Sequence, residues 1–388
     1  MKTILFDLTC SQPLASKYHG AGNYTHAVFI ALCNNLDLVN IKALYKSDVF
    51  LDDLLITKCN ENNIELIDIG NKSYTEVVEE IMPNIYFTAL PSKNRIVHVS
   101  GVSFVTVCHD IRTLDCYFDP MYYQFYQNWR DLIFIADNIF FNGYLARKNT
   151  LSNLNMFIGK SNTNVIAVSR HTKYHLMSTF PDLNLNSIPV FYSPNLGSLR
   201  NNNLLEKLPN KLVEKKYFLM DSGWRWMKNN LRAAIAIDQV FSENESLDFK
   251  VVITGVKSAK PYLSKLINKD KFIFLEYVSH SLLDTLHRNA YCFVYPSLAE
   301  GFGYSPLESM KYEVPVIASS VSSIPEICGD AVLYTNPKSI PEIKNRILQI
   351  LDHEIYNEIK NKCLKHYKKI AKKQDKDLDA LIKYILSE

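Results

Sequence analysis

Ala299-Glu300-Gly301-Phe302-Gly303-Tyr304-Ser305-Pro306-Leu307-Glu308 is the stretch that decides how this chain is read. A short apolar run, Tyr291-Cys-Phe-Val-Tyr295, precedes it, and a helix-forming segment follows. The pattern predicts a strand, a glycine-flanked loop and a helix. Glu300 then lies in the loop beyond the carboxyl end of the strand, and Glu308 one turn into the helix. In open α/β sheets that edge is where ligands bind. A carboxylate suits a hydroxyl-rich ligand because it accepts hydrogen bonds from two neighbouring hydroxyls. Gly301 and Gly303 lack the Cβ atoms that would keep a ligand away from backbone amides. A helix opening near Ser305 adds unpaired N–H groups and a positive dipole end, which favour a phosphate. The same residues also read as a plain helix start, with Ser305 at the N-cap, Pro306 at N1 and Glu308 closing a capping box. Glu300 precedes that cap and has no such duty.

Working outward, strand-like runs alternate with helix-length segments along the whole chain, which predicts α/β architecture with parallel sheets. In the first half the runs are 3–8, 41–45, 64–69, 95–99, 104–108, 165–169 and 189–192. In the second they are 217–220, 249–254, 272–275, 291–295, 316–318 and 332–334. Residues 196–215 are polar, rich in Asn and Lys, and poor in pattern. The expected division is therefore a domain over 1–200, a linker over 201–215, a second domain over 216–355 and a helical tail over 356–388. The tail is expected to pack back toward the first domain. At 388 residues the chain exceeds one ordinary core, which agrees with two domains.

Composition narrows the function classes. Net charge is only +3, so nothing points to a nucleic-acid binder. The mild basic excess in the second half suits an anionic small ligand. The eight cysteines are scattered, with no C-x2-C pair, and read as buried thiols of a reducing compartment. The N-terminus reaches an acid at Asp7 and reads as a strand, not a signal peptide. No Asp-x-Asp follows a strand, and Asp375, Asp377 and Asp379 sit in a lysine-rich tail where they read as solvated. No metal site is expected.

Further constellations surround the acidic loop. In Tyr217-Phe-Leu-Met-Asp-Ser-Gly-Trp-Arg-Trp-Met-Lys-Asn-Asn230 a strand ends at Gly223, Arg225 and Lys228 follow, and a helix opens. Such a strand, glycine turn, cation pair and helix start can cradle a pyrophosphate, or the cations can be loop surface charges. His19-Gly-Ala-Gly-Asn-Tyr24 opens a helix after the first strand, and Val107-Cys-His-Asp-Ile111 places His109 just past another. Ser169 reads as a helix N-cap. Residues 117–141 are crowded with aromatics. They read as core packing on an amphipathic helix, with an acceptor-sugar platform or membrane-facing patch as the functional reading.

The Glu300–Glu308 spacing resembles the E-x7-E signature of retaining glycosyltransferases of family 4, which have the GT-B fold of two Rossmann-like domains facing a cleft. Phe274-Leu-Glu-Tyr-Val-Ser279, Val294-Tyr-Pro-Ser297, Pro315-Val-Ile-Ala-Ser319 and Ser322-Ser-Ile-Pro-Glu326 fall where members carry similar strings. The resemblance implies a metal-independent hexosyltransferase without cofactor. Its donor would be a nucleoside-diphosphate sugar, GDP-mannose first and a UDP-hexose second, and its acceptor a saccharide or lipid-linked saccharide. It further implies Glu300 and His109 at the catalytic centre. Gly22, Arg225, Lys228, Gly301, Phe302, Gly303, Ser305 and Glu308 would hold the donor. The basic loop is one residue shorter than the commonest family spacing, with Trp224 and Trp226 interleaved, so Lys228 matches the family position and Arg225 departs from it. A sugar-nucleotide epimerase, an α-glucan phosphorylase and a non-catalytic sugar-nucleotide-binding module are the competing readings. The implied setting is the cytoplasm, at the inner face of the membrane, with weak peripheral membrane contact.

Overall fold

The computed structural model describes residues 1–13, 20–116, 118–126, 128–184, 188–195 and 206–388. The chain separates into two compact units. One gathers Met1–Ile111, Lys148–Arg200 and Lys372–Glu388, and the other gathers Arg112–Arg147 and Asn201–Ala371.

The first unit is built on six parallel strands: β1 (Lys2–Asp7), β2 (Val39–Tyr45), β3 (Glu65–Asp68), β4 (Ile85–Thr88), β5 (Ser103–Cys108) and β6 (Thr163–Ala167), in the order β3-β2-β1-β4-β5-β6. The second repeats the plan with β7 (Tyr217–Met220), β8 (Lys250–Ile253), β9 (Phe272–Phe274), β10 (Cys292–Tyr295), β11 (Val316–Ser319) and β12 (Leu333–Thr335), in the order β12-β11-β10-β7-β8-β9. Each sheet is doubly wound, and each reverses direction between its first and fourth strands. The central strands are apolar on both faces because helices cover both. Ile4, Leu5 and Phe6 are wholly buried, as are Leu219, Met220, Phe293 and Ile317. Register places Ile4 opposite Ile41 on one side and Ile85 on the other. Phe6 stacks on Phe87 at 4.8 Å.

Two expectations for the first half fail. Residues 95–99 do not form a strand. Arg95 and Ile96 both donate backbone N–H groups to Ser92 O in a turn, and the Arg95 side chain runs inward to Asp7, Nε to Oδ2 at 3.3 Å. The strand at that place in the sheet is β4, a short buried run that the pattern did not single out. Residues 189–192 contribute only a single bridge, Ala167 to Val190. All six strands expected in the second half are present.

The chain ends in a helix of 35 residues, His353–Ser387. Its earlier part belongs to the second unit, where His366 Nε2 lies 2.7 Å from Ile327 O. Its last turns belong to the first, where Gln374 donates to Ser193 O and the Tyr192 N–H donates to Asp377. Asp377 is thus engaged by backbone and by Lys373, not merely solvated as expected. Asp375 and Asp379 are exposed. All eight cysteines are buried thiols.

Candidate functional site

β7 and β10 are hydrogen-bonded neighbours on either side of the reversal in the second sheet. The loops leaving their carboxyl ends therefore meet, which is the ligand position expected of this topology. After β7 the chain turns through Gly223. A Cβ there would lie 2.6 Å from a Val256 methyl and 2.7 Å from an Ile253 methyl, so only glycine lets the loop pack on β8. A single 3-10 turn, Trp226–Lys228, then aims Lys228 at the β10 loop.

Lys228 Nζ stands 2.8 Å from Glu300 Oε1 and 3.0 Å from the Tyr295 hydroxyl, with both charged side chains nearly buried at 11% and 12% exposure. The Ser297 hydroxyl donates to the same Glu300 oxygen at 2.6 Å. Burial alone would raise the Glu300 carboxyl. The Lys228 ammonium, the Ser297 hydroxyl and the more distant Arg112 outweigh it and hold the group at about 2. With Lys228 beside it Glu300 is held ionised, which suits a hydrogen-bond acceptor.

The loop carrying Glu300 is fixed from three sides. Leu298 N donates to Met227 O at 2.8 Å, and Asn229 Nδ2 donates to Pro296 O and Pro337 O. Beyond β11, the Ser322 hydroxyl accepts from Glu300 N at 2.9 Å, and the Ser323 hydroxyl faces Glu300 O and Phe302 O at 2.9 and 3.0 Å. Tyr295, Ser297, Ser322 and Ser323 were not among the expected site residues. Only their place in strings similar to the family's could have marked them, because a serine in a loop ordinarily reads as a cap or turn.

Gly301, Phe302 and Gly303 are buried directly behind Glu300. Gly303 has φ +95°, a conformation that side chains oppose. It is the N-cap of helix Tyr304–Met310, and no side chain caps that helix. The expected Ser305–Glu308 capping box is consequently not formed, since Ser305 lies inside the helix. The plain structural account of Glu308 loses its basis. Glu308 and Ser305 are half-buried on this helix. Arg225 is exposed and uses its backbone, not its side chain, at the start of the 3-10 turn. The two cations of this loop are thus unequal, with Lys228 in the acidic pocket and Arg225 at its surface.

His109 and Gly22 belong to the first unit. His109 follows β5, its Nε2 lies 2.8 Å from Ala89 O just past β4, and the edge of Tyr24 meets its ring at 5.0 Å. Gly22 is buried in the first turn of helix Gly20–Cys33. His19 lies outside the described residues. Ser169 is an N-cap, accepting from Thr172 N at 3.1 Å.

The depressed Glu300 carboxyl has a consequence for stability. Its contribution is complete above its ordinary value of 4.5 and is lost as pH falls toward about 2. The gap in urea midpoint between the wild type and Glu300→Gln should narrow between about pH 5 and about pH 2. A gap independent of pH would contradict the pairing.

Residues 206–376 match the family model described as Glycosyl transferases group 1, a span that contains every site residue of the second unit. Over 177 residues, 45% of this chain and 46% of the relative, the sequence is 30% identical to the O-antigen chain mannosyltransferase RfbU of Salmonella typhimurium. The chain thus aligns with about half the length of this curated relative. A glycosyltransferase structure from Rickettsia africae superposes with a TM-score of 0.63 at 15% identity, covering 99% of this chain and 98% of that one. The Anabaena HepE structure in complex with UDP-glucose gives 0.62 at 13%, covering 98% and 99%. With the two six-stranded parallel sheets, these likenesses establish the α/β two-domain GT-B fold.

Proposed function

We propose that this protein is a retaining, metal-independent glycosyltransferase that moves a hexose from a nucleoside-diphosphate sugar to a saccharide or lipid-linked saccharide acceptor. The observation that carries the reading is the buried Lys228–Glu300 pair at the reversal of the second sheet, within the segment that matches the group 1 transferases. Without a ligand the two charges satisfy each other. A diphosphate reaching this loop gives Lys228 a doubly charged partner, and Glu300 is released to accept hydrogen bonds from sugar hydroxyls. Lys228 then stabilises the charge that develops on the leaving diphosphate.

Backbone amides of 301–303 would hold the hexose beside Glu300, and Glu308 the ribose hydroxyls. Glu300, charged and already hydrogen-bonded, is assigned to binding and electrostatics. No enzymatic nucleophile is assigned, and the leaving phosphate receives the acceptor proton on the same face. The parts given to His109 and Gly22 rest on the family resemblance. Mannose from GDP-mannose is the first choice of donor because the RfbU relative is a mannosyltransferase. HepE, a structural neighbour bound to UDP-glucose, keeps a UDP-hexose as the second.

The test is transfer from a panel of GDP- and UDP-sugars to saccharide acceptors, with the anomeric configuration of the product read by NMR. Transfer with retention is expected. Donor turnover without acceptor would favour the epimerase reading, and inversion would remove the proposed same-face mechanism. Arg225→Ala should raise the donor KM only about three- to tenfold, as befits an exposed cation whose interaction is screened. A loss of a hundredfold or more would place Arg225 alongside Lys228.

A further inference from the structure

Glu300 cannot rely on Lys228 throughout a transfer cycle of the kind proposed above. Once a diphosphate draws the ammonium away, a carboxylate so nearly buried would ordinarily take up a proton and cease to accept from sugar hydroxyls. Two hydroxyls remain beside it. Ser297 is wholly buried, and its one proton can reach Glu300 Oε1 at 2.6 Å or Met227 O at 3.2 Å. The shorter contact is the one to the carboxylate. From β11, the Ser319 hydroxyl anchors this residue by donating to Ser297 O at 2.6 Å.

Tyr295 supplies the second hydroxyl. Its oxygen lies 3.0 Å from Lys228 Nζ, and an ammonium can only donate, so the oxygen accepts. The tyrosine proton is left for another acceptor, and Glu300 is its hydrogen-bond partner. Tyr295 keeps that proton, because burial, and then the charges of Glu300 and Asp221, push the hydroxyl well above its ordinary value. The ring is fixed at the end of β10, 2% exposed and stacked on Phe293 at 5.7 Å. The titratable groups facing these two side chains are Lys228 from the 3-10 turn, Arg112 from segment 112–115, Asp221 beyond β7 and the buried Cys328.

We propose that Tyr295 is a positioning residue that holds Glu300 in its charged form while the donor's diphosphate occupies Lys228. The role rests on Lys228 meeting the diphosphate, as proposed above. Before the donor arrives Tyr295 bridges the pair, accepting from one side chain and donating to the other. Afterwards its hydrogen bond, with that of Ser297, takes over what the ammonium supplied. Loss of one hydrogen bond to a charged group favours the neutral acid by about one to two pH units.

Tyr295→Phe tests this, because it keeps the ring 4.7 Å from Lys228 and removes only the hydroxyl. The unliganded variant should fold as the wild type does, with Glu300 still held by Lys228 and Ser297. Titration calorimetry of GDP and UDP at about pH 6, in buffers of different ionisation enthalpy, counts the protons taken up on binding. Ionisation of the nucleotide itself contributes equally to both proteins, so the difference between them reports Glu300. The variant is expected to take up a fraction of a proton more than the wild type. Its kcat for transfer should match the wild type near pH 8 and fall on an acid limb about one to two pH units higher. A purely structural role would raise KM or lower Tm at every pH and leave that limb in place. Equal proton uptake, or an unmoved limb, in a variant that still binds nucleotide overturns the role of Tyr295 alone. A wild type that binds no nucleotide overturns the reading of Lys228, and the role of Tyr295 with it.

Discussion

Glu300→Gln is expected to lower kcat/KM for sugar transfer by about a hundredfold or more while nucleoside-diphosphate affinity stays level or improves. The glutamine keeps the shape of the side chain and a hydrogen bond to Ser297, so the loop held by Ser322 and Ser323 stays in place. What it removes is the negative charge. A charged acceptor to a substrate hydroxyl contributes about 1.5–3 kcal/mol, and a group aimed at developing charge contributes somewhat more. At the same time Lys228 loses its 2.8 Å partner. It is then drawn more strongly to phosphate, and this separates the two readouts. Calorimetry with the nucleoside diphosphate alone, beside steady-state kinetics, checks the split. A fall in diphosphate affinity that matches the fall in transfer would mean Glu300 serves only to position Lys228.

Asp119→Ala is expected to destabilise the second unit by about 3–5 kcal/mol, the range for leaving one member of a buried ion pair without its partner. Asp119 and Arg232 meet at 2.8 Å, with side chains 2% and 9% exposed. Asp119 also caps the turn at Pro120 by accepting Met121 N. Arg232 in turn donates to Asn229 Oδ1, and Asn229 is the residue that holds the carbonyls of Pro296 and Pro337. The pair therefore ties segment 112–125 to the loops that carry Lys228 and Glu300. Replacing both members, Asp119→Leu with Arg232→Met, should recover most of the loss, because no charge is then left buried. Urea denaturation of the singles and the double gives the coupling. A single-variant loss below about 1 kcal/mol would mean water already reaches the pair.

Much of the site was legible because parallel strands covered on both faces read as unbroken apolar runs. Tyr291–Tyr295 and Tyr217–Met220 were found as strands, and Glu300 and Lys228 fell just beyond their ends. That the two side chains touch follows from the strand order, which places β7 beside β10 and which no local pattern encodes. The Ser305 cap fails because the loop ends two residues earlier, at Gly303, a glycine with positive φ. The run 95–99 reads as a strand because Ile96, Val97 and Val99 are apolar, yet they are buried in an irregular segment that follows the turn at Ser92. The helix Trp129–Phe141 teaches the complementary lesson. A 3.6-residue period reveals that an apolar face exists but not which way it faces, and here it faces outward.

The central claim is that the carboxyl edge of the second sheet receives a nucleoside diphosphate through Lys228. Titration calorimetry of GDP, UDP and their sugar conjugates into the wild type and Lys228→Met tests it most directly. Micromolar binding of one nucleotide series, weakened about tenfold or more in the variant, is the expected result. Equal affinities for the two proteins, or no binding of any member of the panel to the wild type, would contradict it.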